Sequence, residues 1–136
     1  MISTNTLLYH STFRLRLPSI KKTGLGARQY KNWEFSRNNE VCLTNNAEVA
    51  FSFCESAEDV RDSVYNSGIV VLALDYTALN RFLLFEDTNI RKDMLWPDIK
   101  YFAYKGVIDP TKLFVVTRNE GIVGNLCSLK RVPSYE

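Results

Sequence analysis

The sequence holds one histidine, His10, three cysteines, four prolines and six glycines in 136 residues. Each scarcity excludes something. A single imidazole rules out a multi-histidine metal centre and confines any imidazole chemistry to one point. Cys42, Cys54 and Cys127 are odd in number and form no C-x-x-C pair, which argues against a disulfide framework and a structural zinc site and fits a reducing compartment. Charge of one sign is also missing. Lysine and arginine total 17 against 15 acids, a net charge of +2. That is far short of the basic excess of a dedicated nucleic-acid binder, although it permits an anionic ligand. The longest apolar run, residues 69–74, is too short to span a bilayer, and no basic-then-apolar leader opens the chain. A soluble, cytoplasmic protein with no membrane partner is expected. No G-x-G-x-x-G follows a strand, which excludes a Rossmann domain, and Gly24-Leu25-Gly26 comes after a short helix and not before one.

What is present suffices for a core. Hydrophobic residues make up 46% and aromatic residues 12% of the chain, and its length is that of one domain, residues 1–136. There is no internal repeat or low-complexity linker. Residues 6–10 read as a strand and 18–24 as a short helix, with Pro18 in its first turn and Gly24 in the left-handed position after it. Residues 27–39 are polar with isolated Tyr30, Trp33 and Phe35, the composition of a long functional loop. Residues 41–44 form a strand. Asn45 with Glu48 gives a capping-box-like start to a helix whose Ala47, Ala50, Phe51 and Cys54 share one face. Residues 56–66 extend it as a second helical piece, broken by Gly68 before a buried strand over 69–75. Residues 76–85 read as a turn or short helix with Leu79, Phe82 and Leu83 inward, and 86–89 as a polar loop. Strands return at 99–104 and 113–117, and 122–132 is a closing strand interrupted at Gly124. Strands outnumber helices without regular alternation, which makes the chain α+β.

Six segments, in order, carry a resemblance. Leu8-Tyr9-His10-Ser11-Thr12 opens the series, followed by Ile20-Lys21-Lys22-Thr23-Gly24-Leu25, Val41-Cys42-Leu43-Thr44, and Ala47-Glu48-Val49-Ala50-Phe51. It continues through residues 70–79 and Tyr104-Lys105-Gly106-Val107-Ile108-Asp109-Pro110. Together they resemble the ADP-ribosyltransferase superfamily over most of the chain. The resemblance implies a split antiparallel β-sheet core with short flanking helices, and NAD bound as a substrate in a cleft between two half-sheets. ADP-ribose would pass to a protein or nucleic-acid acceptor through an oxocarbenium-like state, whose positive charge must be stabilised. It also implies that His10 clamps the adenosine-side ribose, with Ser11, Thr12 and Thr44 nearby. The ring that stacks on nicotinamide in relatives is replaced by Cys42, so that Tyr30, Trp33 or Phe35 would supply it.

The family's glutamate, which supports the nicotinamide-side ribose, falls on Tyr101. A phenol is neutral at pH 7 and supplies no anion there. Three accounts follow. An acid from nearby, Asp98, Glu86 or Asp87, takes the role; or the chain binds a nucleotide or a protein without turnover, as an inhibitor, decoy or sensor; or it handles phosphate as the RNA 2'-phosphotransferases of this fold do. In that last case Arg14, Arg16, Lys22, Arg28 and Arg37 are the candidates. A thiol enzyme would need Cys42 beside His10. A small single-domain protein of this kind would serve a bacterium, a phage or a toxin system equally well.

Overall fold

A computed structural model describes residues 6–27, 40–57, 60–86 and 99–136. Seven strands run in chain order: β1 (Leu7–Phe13), β2 (Val41–Thr44), β3 (Ile69–Asp75), β4 (Leu84–Glu86), β5 (Tyr101–Tyr104), β6 (Phe114–Thr117) and β7 (Gly121–Asn125). They form one antiparallel sheet of order β4-β5-β2-β1-β3-β6-β7. Three short helices accompany it, α1 (Leu17–Thr23), α2 (Ala47–Glu55) and α3 (Asp62–Tyr65). The architecture is α+β.

Period-two alternation sorts side chains onto two faces. One face carries Leu8, Leu43, Val70, Leu72, Leu74 and Val115, closed by Leu17 and Ile20 of α1 and by Leu113, Leu126 and Val132. The other carries Val71, Ala73 and Val116 beneath Ala50 and Phe51 of α2, with Tyr135 beside them. β3 is buried on both faces, as its unbroken apolar run requires. Its sequence therefore shows no alternation.

α2 starts one residue later than the capping pattern predicts. The side chain of Asn46 accepts from Val49 N at 3.0 Å, whereas Asn45 accepts from Lys100 N at 2.9 Å and ties the helix start to β5. The predicted inner face is buried at Ala50, Phe51 and Cys54, joined by Val49 and Phe53. The C-terminal segment is clasped to this helix. Arg118 donates to both carboxylate oxygens of Glu48 at 2.7 and 3.0 Å, and Tyr135 donates its hydroxyl to Glu48 at 2.6 Å. The Arg118 guanidinium sits 5.1 Å from the ring centres of both Phe51 and Tyr135. Glu48 is held below, and the Tyr135 phenol above, its ordinary range. For Glu48 the cause is the hydrogen bond from Arg118, followed by that from Tyr135. For Tyr135 it is burial first, which lifts the phenol to about 12.

Gly24 follows α1 at φ +96° and ψ 161°, not in the left-handed helical conformation predicted but in an extended positive-φ region open in practice to glycine alone. A Cβ there would lie 2.6 Å from Val107 Cγ1 and 2.9 Å from Ile108 O. The reason is the bridge between Leu25 and Ile108, which brings the chain against 106–108 as soon as the helix ends.

Several expectations are corrected. β1 runs on to Phe13, since β3 pairs with it to the end. Residues 84–86 form an edge strand, so Glu86 ends β4 and does not begin a loop. Phe82 is 74% exposed and not inward, while Leu79 and Leu83 do pack on the core. β7 stops at Asn125, whose side chain accepts from Cys127 N at 2.9 Å and whose carbonyl accepts from Ser128 and Leu129. That turn, and not Gly124, ends the strand. No helix among the described residues is long and apolar enough to cross a membrane.

Candidate functional site

β1 is paired differently on its two sides. Against β3 all seven residues are in register, from Leu7 with Asp75 to Phe13 with Ile69. Against β2 only Tyr9 and Thr44 pair. Continuing that register would place His10 beside Leu43 and Thr12 beside Val41, yet the ladder ends. The sheet therefore has a seam at β1/β2, and His10 is the first residue past the last paired position.

The imidazole spans the seam. His10 Nδ1 lies 2.8 Å from Cys42 O. A carbonyl only accepts, which assigns the proton to Nδ1. Burial pushes the imidazole below its ordinary pKa; the bond to Cys42 opposes this and the Arg16 charge adds to it. The ring is therefore neutral at pH 7, and Nε2 carries a free lone pair. Such a ring accepts a hydrogen bond, from a sugar hydroxyl for example, and delivers no positive charge.

The other candidates separate by face. Thr12 pairs with Val70 on the same face as His10 and is buried. Ser11 points the opposite way and donates its hydroxyl to Ala50 O of α2. Thr44 also lies on the α2 side, with its hydroxyl donated to Lys100 O at 2.9 Å. Both hydroxyls hold β-strands to neighbouring backbone. Tyr101 pairs with Thr44 and packs under α2 against Val49 and Phe53, its ring centre 6.1 Å from that of Phe53. Burial raises its phenol above the usual range. It is 5% exposed and on the face away from His10.

Glu86 has the opposite placement. It pairs with Phe102, which pairs with Leu43, the residue beside His10 across the seam. Glu86, Phe102, Leu43 and His10 thus form one row on one face, spanning three strand spacings, roughly 14 Å. Glu86 is exposed at the end of its strand. Sequence reasoning missed this row because β4 is three residues long and its two exposed residues, Phe85 and Glu86, do not read as strand. Asp87, Asp98, Tyr30, Trp33, Phe35, Arg28 and Arg37 lie outside the described residues.

The thiols offer no nucleophile at this point. Cys42 alternates with Val41 and Leu43 and so faces α2, away from the imidazole, although its carbonyl is the one His10 binds. Cys54 is buried, and burial pushes its thiol up to about 11. Among the phosphate-handling candidates, Arg16 is buried with its guanidinium 5.3 Å from the Phe13 ring centre, and Arg14 is turned to the C-terminal segment, where it donates to Val132 O and Ser134 Oγ. Lys22 is exposed on α1. Of these three only Arg16 acts on His10, through its charge. Among the described residues, no three His, Cys, Asp or Glu side chains cluster as metal ligands. No family model matches the chain, and neither does any curated protein or solved structure.

Proposed function

We propose that the chain is an NAD-dependent ADP-ribosyltransferase-like protein that binds NAD along the β1/β2 seam, with His10 as ribose clamp and Glu86 as the acid facing it. The observation that carries this reading is the end of the β1/β2 ladder at His10. A gap in a sheet at a half-buried, neutral imidazole is a place for a ligand with hydroxyl donors, and Nε2 is an acceptor for one. Glu86 supports the reading further. An anion on the clamp's own face suits a reaction that builds positive charge on a sugar, because a carboxylate stabilises an oxocarbenium-like state as water cannot. Tyr101, under α2, has no part in it. The leaving nicotinamide takes the bond electrons, and an acceptor nucleophile attacks the exposed sugar carbon. His10 orients the substrate and neither gains nor loses a proton.

A second reading keeps the cleft and drops the chemistry, with the chain acting as a nucleotide- or protein-binding inhibitor, decoy or sensor. The buried, neutral Tyr101 at the expected glutamate position favours it. One experiment separates the two: incubate the protein with NAD and follow nicotinamide release together with NAD-induced thermal stabilisation. In the wild type both are expected. In His10→Asn, whose amide still reaches the Cys42 carbonyl but lacks Nε2, both are lost; in Glu86→Gln stabilisation persists and release falls at least a hundredfold. Stabilisation without release in the wild type establishes the binding module. No response in either channel overturns the nucleotide reading.

A further inference from the structure

Away from the seam, an open groove of about 680 Å³ lies between the β6–β7 hairpin and residues 129–133. That is the size range of small-ligand sites. Its apolar lining is wholly aliphatic: Val123, Leu129, Val132 and Pro133. With no ring to stack on, it does not suit a nucleobase.

Two arginines, Arg14 and Arg131, also line it. Arg14 is part-buried and donates to two neutral acceptors, Val132 O and Ser134 Oγ at 2.8 Å for the second. Among the described residues no carboxylate pairs with this guanidinium, and three of its five N–H groups remain to be offered. Arg131 is exposed at the rim. Two guanidinium forks beside an aliphatic wall match a carboxylate on an aliphatic body. The same lining contains Thr117 and Glu120. Thr117 Oγ1 accepts from Glu120 N at 3.2 Å, which fixes the turn that carries Glu120, and the exposed Glu120 carboxylate is an acceptor for N–H donors. An acyl chain has no such donors. A peptide has them at every residue.

We propose that this groove captures the free C-terminal carboxylate of a peptide ending in aliphatic residues, with Arg131 and Arg14 on the carboxylate, the Val123–Leu129–Val132 wall on the side chains, and Glu120 on a peptide N–H. Recognition of a chain end by fixed donors beside an apolar slot is a known way of reading peptides. The site is independent of the NAD reading and stands whether or not that reading does.

The test uses fluorescein-labelled Leu-Leu-Val with a free carboxylate, the same peptide C-terminally amidated, and octanoate as competitor, read by fluorescence anisotropy on the full chain. The acid is expected to bind at least tenfold more tightly than the amide. Arg131→Ala, an exposed change that leaves the fold intact by circular dichroism, is expected to remove that preference, and Glu120→Gln to weaken the peptide while leaving any octanoate binding unchanged. Equal affinity for acid and amide overturns the proposal. So does octanoate competing as strongly as the peptide acid, which would make the groove an acyl site, and so does an acid preference that survives Arg131→Ala.

Discussion

The two flanks of β1 teach opposite lessons from one strand. On the β3 side seven consecutive residue pairs bury Leu8, Leu72 and Leu74 in a common core, and the partner is apolar from Ile69 to Leu74. On the β2 side the ladder is one backbone pair, with the His10 ring bonded to the Cys42 carbonyl and Leu8 and Leu43 sharing the core beneath. The difference lies in what each partner offers. β3 is seven residues long and buried on both faces, while β2 is four residues long and is also paired over its full length with β5. A short strand that is satisfied on one side can afford a gap on the other. The proposed nucleotide site would use that gap, with the sealed β1/β3 ladder as its wall.

Three changes test that contrast, in descending size. Leu72→Ala, directly opposite His10 in the sealed ladder, should cost about 2 to 5 kcal/mol in urea unfolding, because a fully buried side chain leaves a cavity. His10→Ala should cost less, about 1 to 2 kcal/mol, since the Cys42 carbonyl loses its donor but water can enter the seam. His10→Asn should recover part of that loss. If His10→Ala costs as much as Leu72→Ala, the seam is packed core and the contrast fails. The smallest effect is with pH. The folded imidazole sits below the unfolded value of 6.5, so the unfolded chain binds the proton more readily. Stability should therefore be full above about pH 6.5 and decline as pH falls below it, and His10→Asn should remove that part of the decline. A melting temperature with the same acid slope in both proteins would show that the ring does not titrate in the cleft.

How much of this was legible follows from what each segment does. Residues 69–74 announced themselves because a strand buried on both faces reads as an unbroken apolar run, and 41–44 and the Ala47 helix because their inner faces carry a clear period. β4 was not legible, since an edge strand with Phe85 and Glu86 exposed has no apolar period to read. The far end of β1 was obscured by Ser11 and Thr12, whose burial depends on partners distant in sequence: Ala50 for Ser11 and Val70 for Thr12. At the site, His10 was legible as the single imidazole. Its tautomer and the row leading to Glu86 were not, because both depend on register, and register is a relation between strands that no single segment contains.

The C-terminal clasp has a consequence in time. Arg14, at the end of β1, is anchored to Val132 and Ser134, and Tyr135 N bonds Ile69 O. About 120 residues separate Arg14 from its anchors, and at ordinary translation speeds they take roughly 6 to 24 s to synthesise. β1 can pair with β3 once residue 75 is made, and the clasp that Arg14 and Tyr135 complete closes over that ladder last. Pairings between segments so far apart in sequence are slow to form, because loop closure must come before the contacts that reward it.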